Sequence, residues 1–276
     1  MPKGSSYLAL RMTLSAPLPT SGAPWAGISP VVRAKTESHP ANVLQKYYSV
    51  LFEVLGPQGW WPGKTPFEVC VGAILTQNTA WVNVERAIEN LRREELLTPG
   101  ALEKVSSVKL AQLIRSSGYF RQKARKLKAF MRFLRKEYGG SLPKMFRTPT
   151  AELRKKLLGV PGIGPETADC ILLYAGGHPV FVVDAYTRRI FERHGLADSR
   201  QRYDDLRTFF ESNLRREASL FNEYHALLVR VGKNWCRAKN PRCEECPLGP
   251  YLPPIVKNKL VDGARTLSPQ TGGSAR

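Results

Sequence analysis

The chain has 276 residues and a formal net charge of +19, from 42 Lys+Arg against 23 Asp+Glu. A surplus of that size points to a polyanionic partner, nucleic acid first. No apolar run approaches the length that spans a bilayer, and the basic residues are spread along the chain, which argues against a membrane role.

Residues 1–38 are rich in Ser, Pro, Gly and Ala, with Arg11, Arg33 and Lys35 and almost no acid before Glu37. Such a segment cannot bury a core and is expected to be a disordered leader. An organellar transit peptide is the alternative reading; a cytoplasmic, nucleoid-associated location is the expectation. Apolar residues then recur at three and four spacing over Val43 to Val54, Phe67 to Gln77, Val82 to Leu91, Leu110 to Ser116, Gln122 to Tyr138, Ala151 to Leu158, Glu166 to Tyr174, Asp184 to His194, Tyr203 to Asn213 and Leu220 to Lys233, which predicts helices. Turn chemistry breaks the pattern at Pro57 to Gly63, Thr98-Pro99-Gly100, Ser116-Ser117-Gly118, Gly139-Gly140 and Gly176-Gly177-His178-Pro179. Strand-like alternation is nearly absent, so an all-α fold is expected, with a flexible tail over 256–276.

Three local patterns carry chemistry. In Val160-Pro161-Gly162-Ile163-Gly164-Pro165-Glu166-Thr167-Ala168-Asp169 two glycines flank one apolar residue before an amphipathic run. The backbone can turn tightly there and aim unpaired N–H groups at an anion, although an ordinary turn between helices has the same pattern. Asp184 follows Val182-Val183 and precedes Ala185-Tyr186-Thr187, as a helix N-cap would, and capping would keep its carboxylate ionised and aimed. Cys70 and Cys170 stand alone in apolar stretches, whereas Cys236, Cys243 and Cys246 crowd together, which points to a metal site in a reducing compartment. The run Arg121 to Lys128 reads as a solvated basic helix face within reach of a phosphate field.

In order, Leu157-Leu158-Gly159-Val160-Pro161-Gly162-Ile163-Gly164, Thr167-Ala168-Asp169, an apolar helix and a Val-rich segment ending in Asp184 resemble the helix-hairpin-helix glycosylase superfamily, the endonuclease III-like DNA repair enzymes. The likeness runs from about Lys46 to Leu252. It implies a six-helix barrel lobe over 63–178, carrying the hairpin and inserted into a terminal lobe of 39–62 and 179–255. Double-stranded DNA with a damaged base would lie in the cleft between them, bound by a monomer. Asp184 becomes the catalytic carboxylate, since cleaving an N-glycosidic bond builds positive charge on the deoxyribose that a carboxylate can stabilise while orienting water.

Bifunctional members carry, where this chain has Glu166, a lysine whose amine forms a Schiff base; a glutamate cannot, so a monofunctional enzyme is expected. Adenine glycosylases carry a glutamate four residues before a glutamine, and here Ala73 precedes Gln77. Trp60-Trp61-Pro62, Thr76-Gln77-Asn78-Thr79-Ala80-Trp81 and Ser117 to Ala124 look like the 3-methyladenine DNA glycosylase III branch. That likeness implies a base pocket of Trp60, Trp61, Pro62, Trp81 and Glu166, in which a cationic alkylated purine stacks on aromatic faces; core packing is the alternative for the tryptophans.

Gln77, beside Asn78, would fill the gap left by the flipped nucleotide, with a helix C-cap the alternative for Asn78. Gly162, Gly164 and Thr167 would meet DNA backbone. The spacing Cys236-x6-Cys243-x2-Cys246 matches three quarters of the family's C-x6-C-x2-C-x5-C loop, and Leu252 stands fourth. A [4Fe–4S] cluster with an incomplete ligand set is expected, its loop presenting Arg237, Lys239 and Arg242 to phosphate. The alternatives are zinc on three thiolates and a histidine such as His225, or bare cysteines. No organic cofactor is expected. A different substrate range, oxidised or mismatched bases, and a catalytically silent DNA-binding protein are the rival readings.

Overall fold

The computed structural model describes residues 39–59, 63–254 and 256. Among the described residues there are helices and no strands. In chain order they are α1 (Pro40–Leu55), α2 (Pro66–Leu75), α3 (Trp81–Arg93), α4 (Pro99–Lys104), α5 (Ser107–Leu113), α6 (Phe120–Tyr138), α7 (Leu142–Phe146), α8 (Thr150–Leu158), α9 (Pro165–Cys170), α10 (Ala185–Arg193), α11 (Tyr203–Asn213) and α12 (Ala218–Asn234).

Helix starts follow side-chain capping. Thr65, Thr98, Ser106 and Ser141 each accept an amide hydrogen from the first turn of the helix they precede, satisfying donors that would otherwise be unpaired. Thr98-Pro99-Gly100, which breaks the periodic pattern, therefore begins the short helix α4, and Ser141-Leu142-Pro143, just past the break at Gly139-Gly140, begins α7. Proline within the first turn has no amide to lose there.

Apolar side chains gather into two clusters. One holds Phe67, Ile74, Leu91, Phe130, Leu134 and Leu157 from α2 to α8, with Ile171 and Leu172. The other joins Leu44 and Leu51 of α1 to Leu173, Phe181, Phe191, Phe210, Phe221 and Tyr224. Phe181 and Phe210 stack with centroids 3.9 Å apart and rings within 5° of parallel.

The sequence periodicity predicts one helix over Glu166 to Tyr174, but α9 gives way after Cys170 to a π-helical turn over Ile171–Ala175. The wider turn divides successive side chains between the two clusters: Ile171 and Leu172 face the first, Leu173 the second. An inserted residue of this kind rotates everything after it about the helix axis.

Lys123, in the first turn of α6 and within the basic run expected to face solvent, is 2 % exposed. Its ammonium donates to the carbonyls of Leu75 (2.8 Å) and Ser117 (2.6 Å), closing the end of α2, where helix carbonyls lack partners. Lys123→Met should lower the unfolding free energy by about 1.5–3 kcal/mol, the usual range for a charged hydrogen bond. A lower denaturant midpoint at unchanged slope would show it.

Candidate active site and nucleic-acid interface

Asp184 ends the buried run Val180 to Val183 and caps α10, its Oδ1 accepting the Thr187 amide at 2.7 Å. The side chain is 14 % exposed. His225, on α12, brings Nε2 to 3.6 Å from Asp184 Oδ2, while its Nδ1 shares a short hydrogen bond with the Tyr174 hydroxyl from the π turn. Nε2 itself is buried without a hydrogen-bond partner. Burial alone would push the Asp184 carboxyl up, but the charge of His225 and the Thr187 amide outweigh it and hold the group below the ordinary carboxylate range. Asp184 is therefore ionised.

Glu166, in the first turn of α9, behaves oppositely. Burial, then the negative charge of Asp184, pushes its carboxyl up to about 7, against the pull of His225. By surface area the residue is nonetheless exposed. The two facts agree for a side chain that meets solvent along part of its length while its carboxyl is crowded by protein. Two neighbouring carboxyl groups thus hold different protonation states near neutral pH, an arrangement that suits acid–base chemistry.

A titration follows from the raised value. The folded chain holds this proton more tightly than the unfolded chain, whose ordinary value is 4.5. Glu166 thus favours folding fully below about 4.5, and that contribution is lost as pH rises through about 7. Glu166→Gln should flatten stability against pH across that window, as read from denaturant midpoints at each end.

Behind Asp184 lies a buried ionic network. Asp169 is fully buried and takes a forked contact from Arg154 of α8 (2.7 and 3.1 Å). Arg207 of α11 approaches to 4.0 Å, and the Tyr203 hydroxyl also bonds Asp169. That hydroxyl accepts the amide hydrogen of Val183 at 3.4 Å. The residue before Asp184 is thereby tied to the hairpin helix, through partners that are distant in sequence.

At the hairpin, Gly162 has φ +90°, and a β-carbon there would fall 2.4 Å from Lys126 Cγ; only glycine fits. Gln77 Nε2 donates to the Gly162 carbonyl (3.1 Å) and to Thr167 Oγ1 (2.9 Å), and its Oε1 accepts from Lys126 Nζ at 2.5 Å. Gln77, Gly162 and Thr167 thus stand together, with Gln77 bracing the hairpin; filling a gap in DNA would require it to leave these bonds. Asn78 beside it is exposed, with φ +53°, the left-handed geometry expected just past a helix end. Gly164 precedes Pro165 with open space at its α-carbon, and its carbonyl accepts from Ala168 (2.9 Å). A groove lined by Gln122, Arg125, Lys126, Arg132 and Pro161 runs to Gly162. It continues the hairpin as a positive surface.

Trp81 opens α3. Its indole N–H donates to Glu85 at 2.7 Å, its ring packs on the first apolar cluster, and it lines a cavity of about 410 Å³ with Glu68, Arg92 and Gly63. This is the packing alternative in part. Gly63 also borders a second cavity with Val69, Tyr174 and Asn222. Trp60, Trp61 and Pro62 lie outside the described residues.

Cys236, Cys243 and Cys246 line one cavity with Arg193, His194, Gly249 and Leu252. Arg193, at the end of α10, donates to Cys236 Sγ (3.2 Å), to the Arg237 carbonyl (2.6 Å) and to that of Ala238 (3.0 Å). The helix that Asp184 begins is therefore anchored at its far end by the cysteine loop. Three thiols and a guanidinium on one sulfur are the donor chemistry of a thiolate-held cluster, but among the described residues no three ligating side chains are spaced to hold a metal ion, and Leu252, buried in the fourth position, has no donor atom. His225 belongs to the Asp184 site, so zinc on three thiolates and His225 is corrected; His194 is the histidine in this cavity, its Nδ1 bonded to the Tyr47 hydroxyl at 2.7 Å. Arg237 and Lys239 are exposed, while Arg242 is paired with Glu245 (2.9 Å).

Spacing could reveal Asp184, the hairpin and the cysteines. It gave no signal for His225 as a partner of Asp184, nor for Tyr174, Tyr203 or Arg193. Each lies on an amphipathic helix or turn where a polar residue reads as surface or packing.

A hairpin with an ionised, capped carboxylate beyond it and a cysteine loop bracing the same helix define a class of base excision DNA repair proteins. Residues 71–216 match the profile described as HhH-GPD superfamily base excision DNA repair protein, and residues 236–251 that of the iron-sulfur binding domain of endonuclease III. The chain belongs to the HhH-GPD superfamily, and its class is that of the DNA glycosylases. It is 45 % identical over 209 residues to a putative DNA repair glycosylase, MJ1434, of Methanocaldococcus jannaschii, covering 75 % of this chain and 94 % of that protein. Endonuclease III of Thermotoga maritima is 32 % identical over 183 residues, covering 66 % and 79 %. Among solved structures, the 3-methyladenine DNA glycosylase MagIII of H. pylori bound to 1,N6-ethenoadenine aligns with TM-score 0.61 at 29 % identity, covering 70 % and 97 %. A non-covalent endonuclease III–DNA complex aligns at 0.69 with 22 % identity, covering 80 % and 98 %, a likeness of fold.

Proposed function

We propose that this chain is a monofunctional DNA glycosylase that extrudes a damaged base, an alkylated purine, from duplex DNA and hydrolyses its N-glycosidic bond. The observation that carries the reading is the carboxylate pair: Asp184 is held ionised, and beside it, where a Schiff-base enzyme has its amine, stands Glu166. As the bond to the base lengthens, its electron pair leaves with the base and positive charge grows on the sugar. Asp184 stabilises that charge and takes the proton of the water that bonds to C1′. Extrusion supplies access to the bond. A cationic alkylated purine leaves as a neutral molecule and needs no proton from the protein.

The hairpin and the groove beside it hold the DNA backbone through the Gly162–Gly164 turn, Arg125 and Arg132, and the protein acts as a monomer. Of the described residues, Trp81 and Glu166 are assigned to the base pocket. The likeness to the H. pylori 3-methyladenine enzyme supports the substrate class. Release measured on a panel of single-lesion duplexes tests it, with alkylated purines released and abasic strands left intact. Borohydride should trap no covalent protein–DNA adduct; a trapped adduct would overturn the monofunctional reading.

Cys236, Cys243 and Cys246 would hold an iron–sulfur cluster, which supplies a rigid cross-link within the loop that grips α10. Anaerobically purified protein should be brown and contain iron and sulfide, and Cys246→Ala should lose both. Stoichiometric zinc without iron would contradict this assignment.

A further inference from the structure

We infer that His225 is a positioning residue for Asp184, itself set by Tyr174, so that the catalytic carboxylate is fixed at both oxygens. The inference rests on the reading of Asp184 as the carboxylate that faces the sugar. A carboxylate held at one oxygen can still swing about its Cβ–Cγ bond. Here the Thr187 amide holds Oδ1 (2.7 Å), and His225 Nε2 faces Oδ2 from 3.6 Å.

Three features mark the imidazole as placed for this and not merely packed. It is 4 % exposed on an otherwise apolar stretch of α12, between Tyr224 and Leu227. Its Nε2 has no hydrogen-bond partner, and leaving such an atom buried is costly unless something beside it compensates. Its other nitrogen is bonded to Tyr174, a residue of the π-helical turn, and turns of this kind concentrate at functional sites.

Electrostatics orients the hydrogen. A lone pair on Nε2 would repel the carboxylate, whereas an N–H attracts it, so Nε2 carries a hydrogen toward Asp184 while Nδ1 is held by the Tyr174 hydroxyl. At 3.6 Å the pair attracts without a full hydrogen bond, which leaves Oδ2 lone pairs for water. During hydrolysis the water proton passes to Oδ2 while His225 keeps its own. The other ionisable groups acting on this place are Glu166 and Cys170, both from α9.

Two readouts test this in the full-length protein. Single-turnover base release should fall about 10- to 100-fold in His225→Phe, the scale of a misplaced reacting group, with duplex affinity unchanged. His225→Gln, which can present an amide N–H, should recover part of the rate, and Tyr174→Phe should lose less than His225→Phe. In an Asp184→Asn background, His225→Phe should cost nothing further. Independently of activity, the Asp184 carboxyl followed by carbon NMR should titrate at higher pH in His225→Phe than in wild type. An unchanged rate with an unmoved Asp184 titration overturns the inference, as does an equal loss in the Asp184→Asn background. If wild type released no base from any duplex, the glycosylase reading would fall, and the NMR titration alone would decide whether His225 positions Asp184.

Discussion

Asp184→Asn should reduce base release by at least about 10²- to 10³-fold, the scale lost when a group aimed at transition-state charge is removed. The substitution keeps the shape of the side chain and removes its charge. Asn also caps helices about as well as Asp, and its carbonyl oxygen can accept the same Thr187 amide, so α10 and the cysteine loop it meets through Arg193 should stay in place. Duplex affinity should be retained, because the hairpin and the groove beside it are built from other residues. Single-turnover release from a methylated duplex, with binding and thermal unfolding measured on the same preparation, separates these effects. Unchanged release would remove Asp184 from the mechanism.

The largest loss of stability is expected at Asp169. Asp169→Ala leaves Arg154, whose side chain is 14 % exposed, without its buried carboxylate and with the exposed Asp204 (2.6 Å) as its remaining partner. Breaking a buried pair from one side costs about 3–5 kcal/mol, a large share of the net stability of a typical domain. Removing both charges should be gentler: Asp169→Leu with Arg154→Met should regain part of the loss, since the penalty lies mainly in the guanidinium left buried with only Asp204 to pair it. Denaturant unfolding of the single and double variants checks this. Base release should also suffer in Asp169→Ala, because Tyr203, which bonds both Asp169 and the Val183 amide, sets the chain just before Asp184.

Features carried by neighbours in the chain were readable before folding. Helix periodicity, the glycine-flanked turn, the cap at Asp184 and the cysteine spacing each involve residues a few positions apart, and short-range geometry dictates them. Two short helices escaped detection because α4 and α7 are too brief for periodicity to declare itself, although Thr98-Pro99 and Ser141-Leu142-Pro143 are start signals. The π turn was invisible for a related reason: it changes the aim of Tyr174 without changing the apolar pattern.

By itself the sequence determined an all-helical repair glycosylase of the HhH-GPD superfamily, with Asp184 at a helix start and Glu166 in place of an amine. Only the tertiary structure decided which groups surround that carboxylate. His225 lies 41 positions after Asp184 in the chain, and Asp169 reaches Arg154 and Tyr203 on helices before and after it. A buried charge or imidazole is tolerated only where such distant partners converge, and convergence is a property of packing that no local pattern encodes.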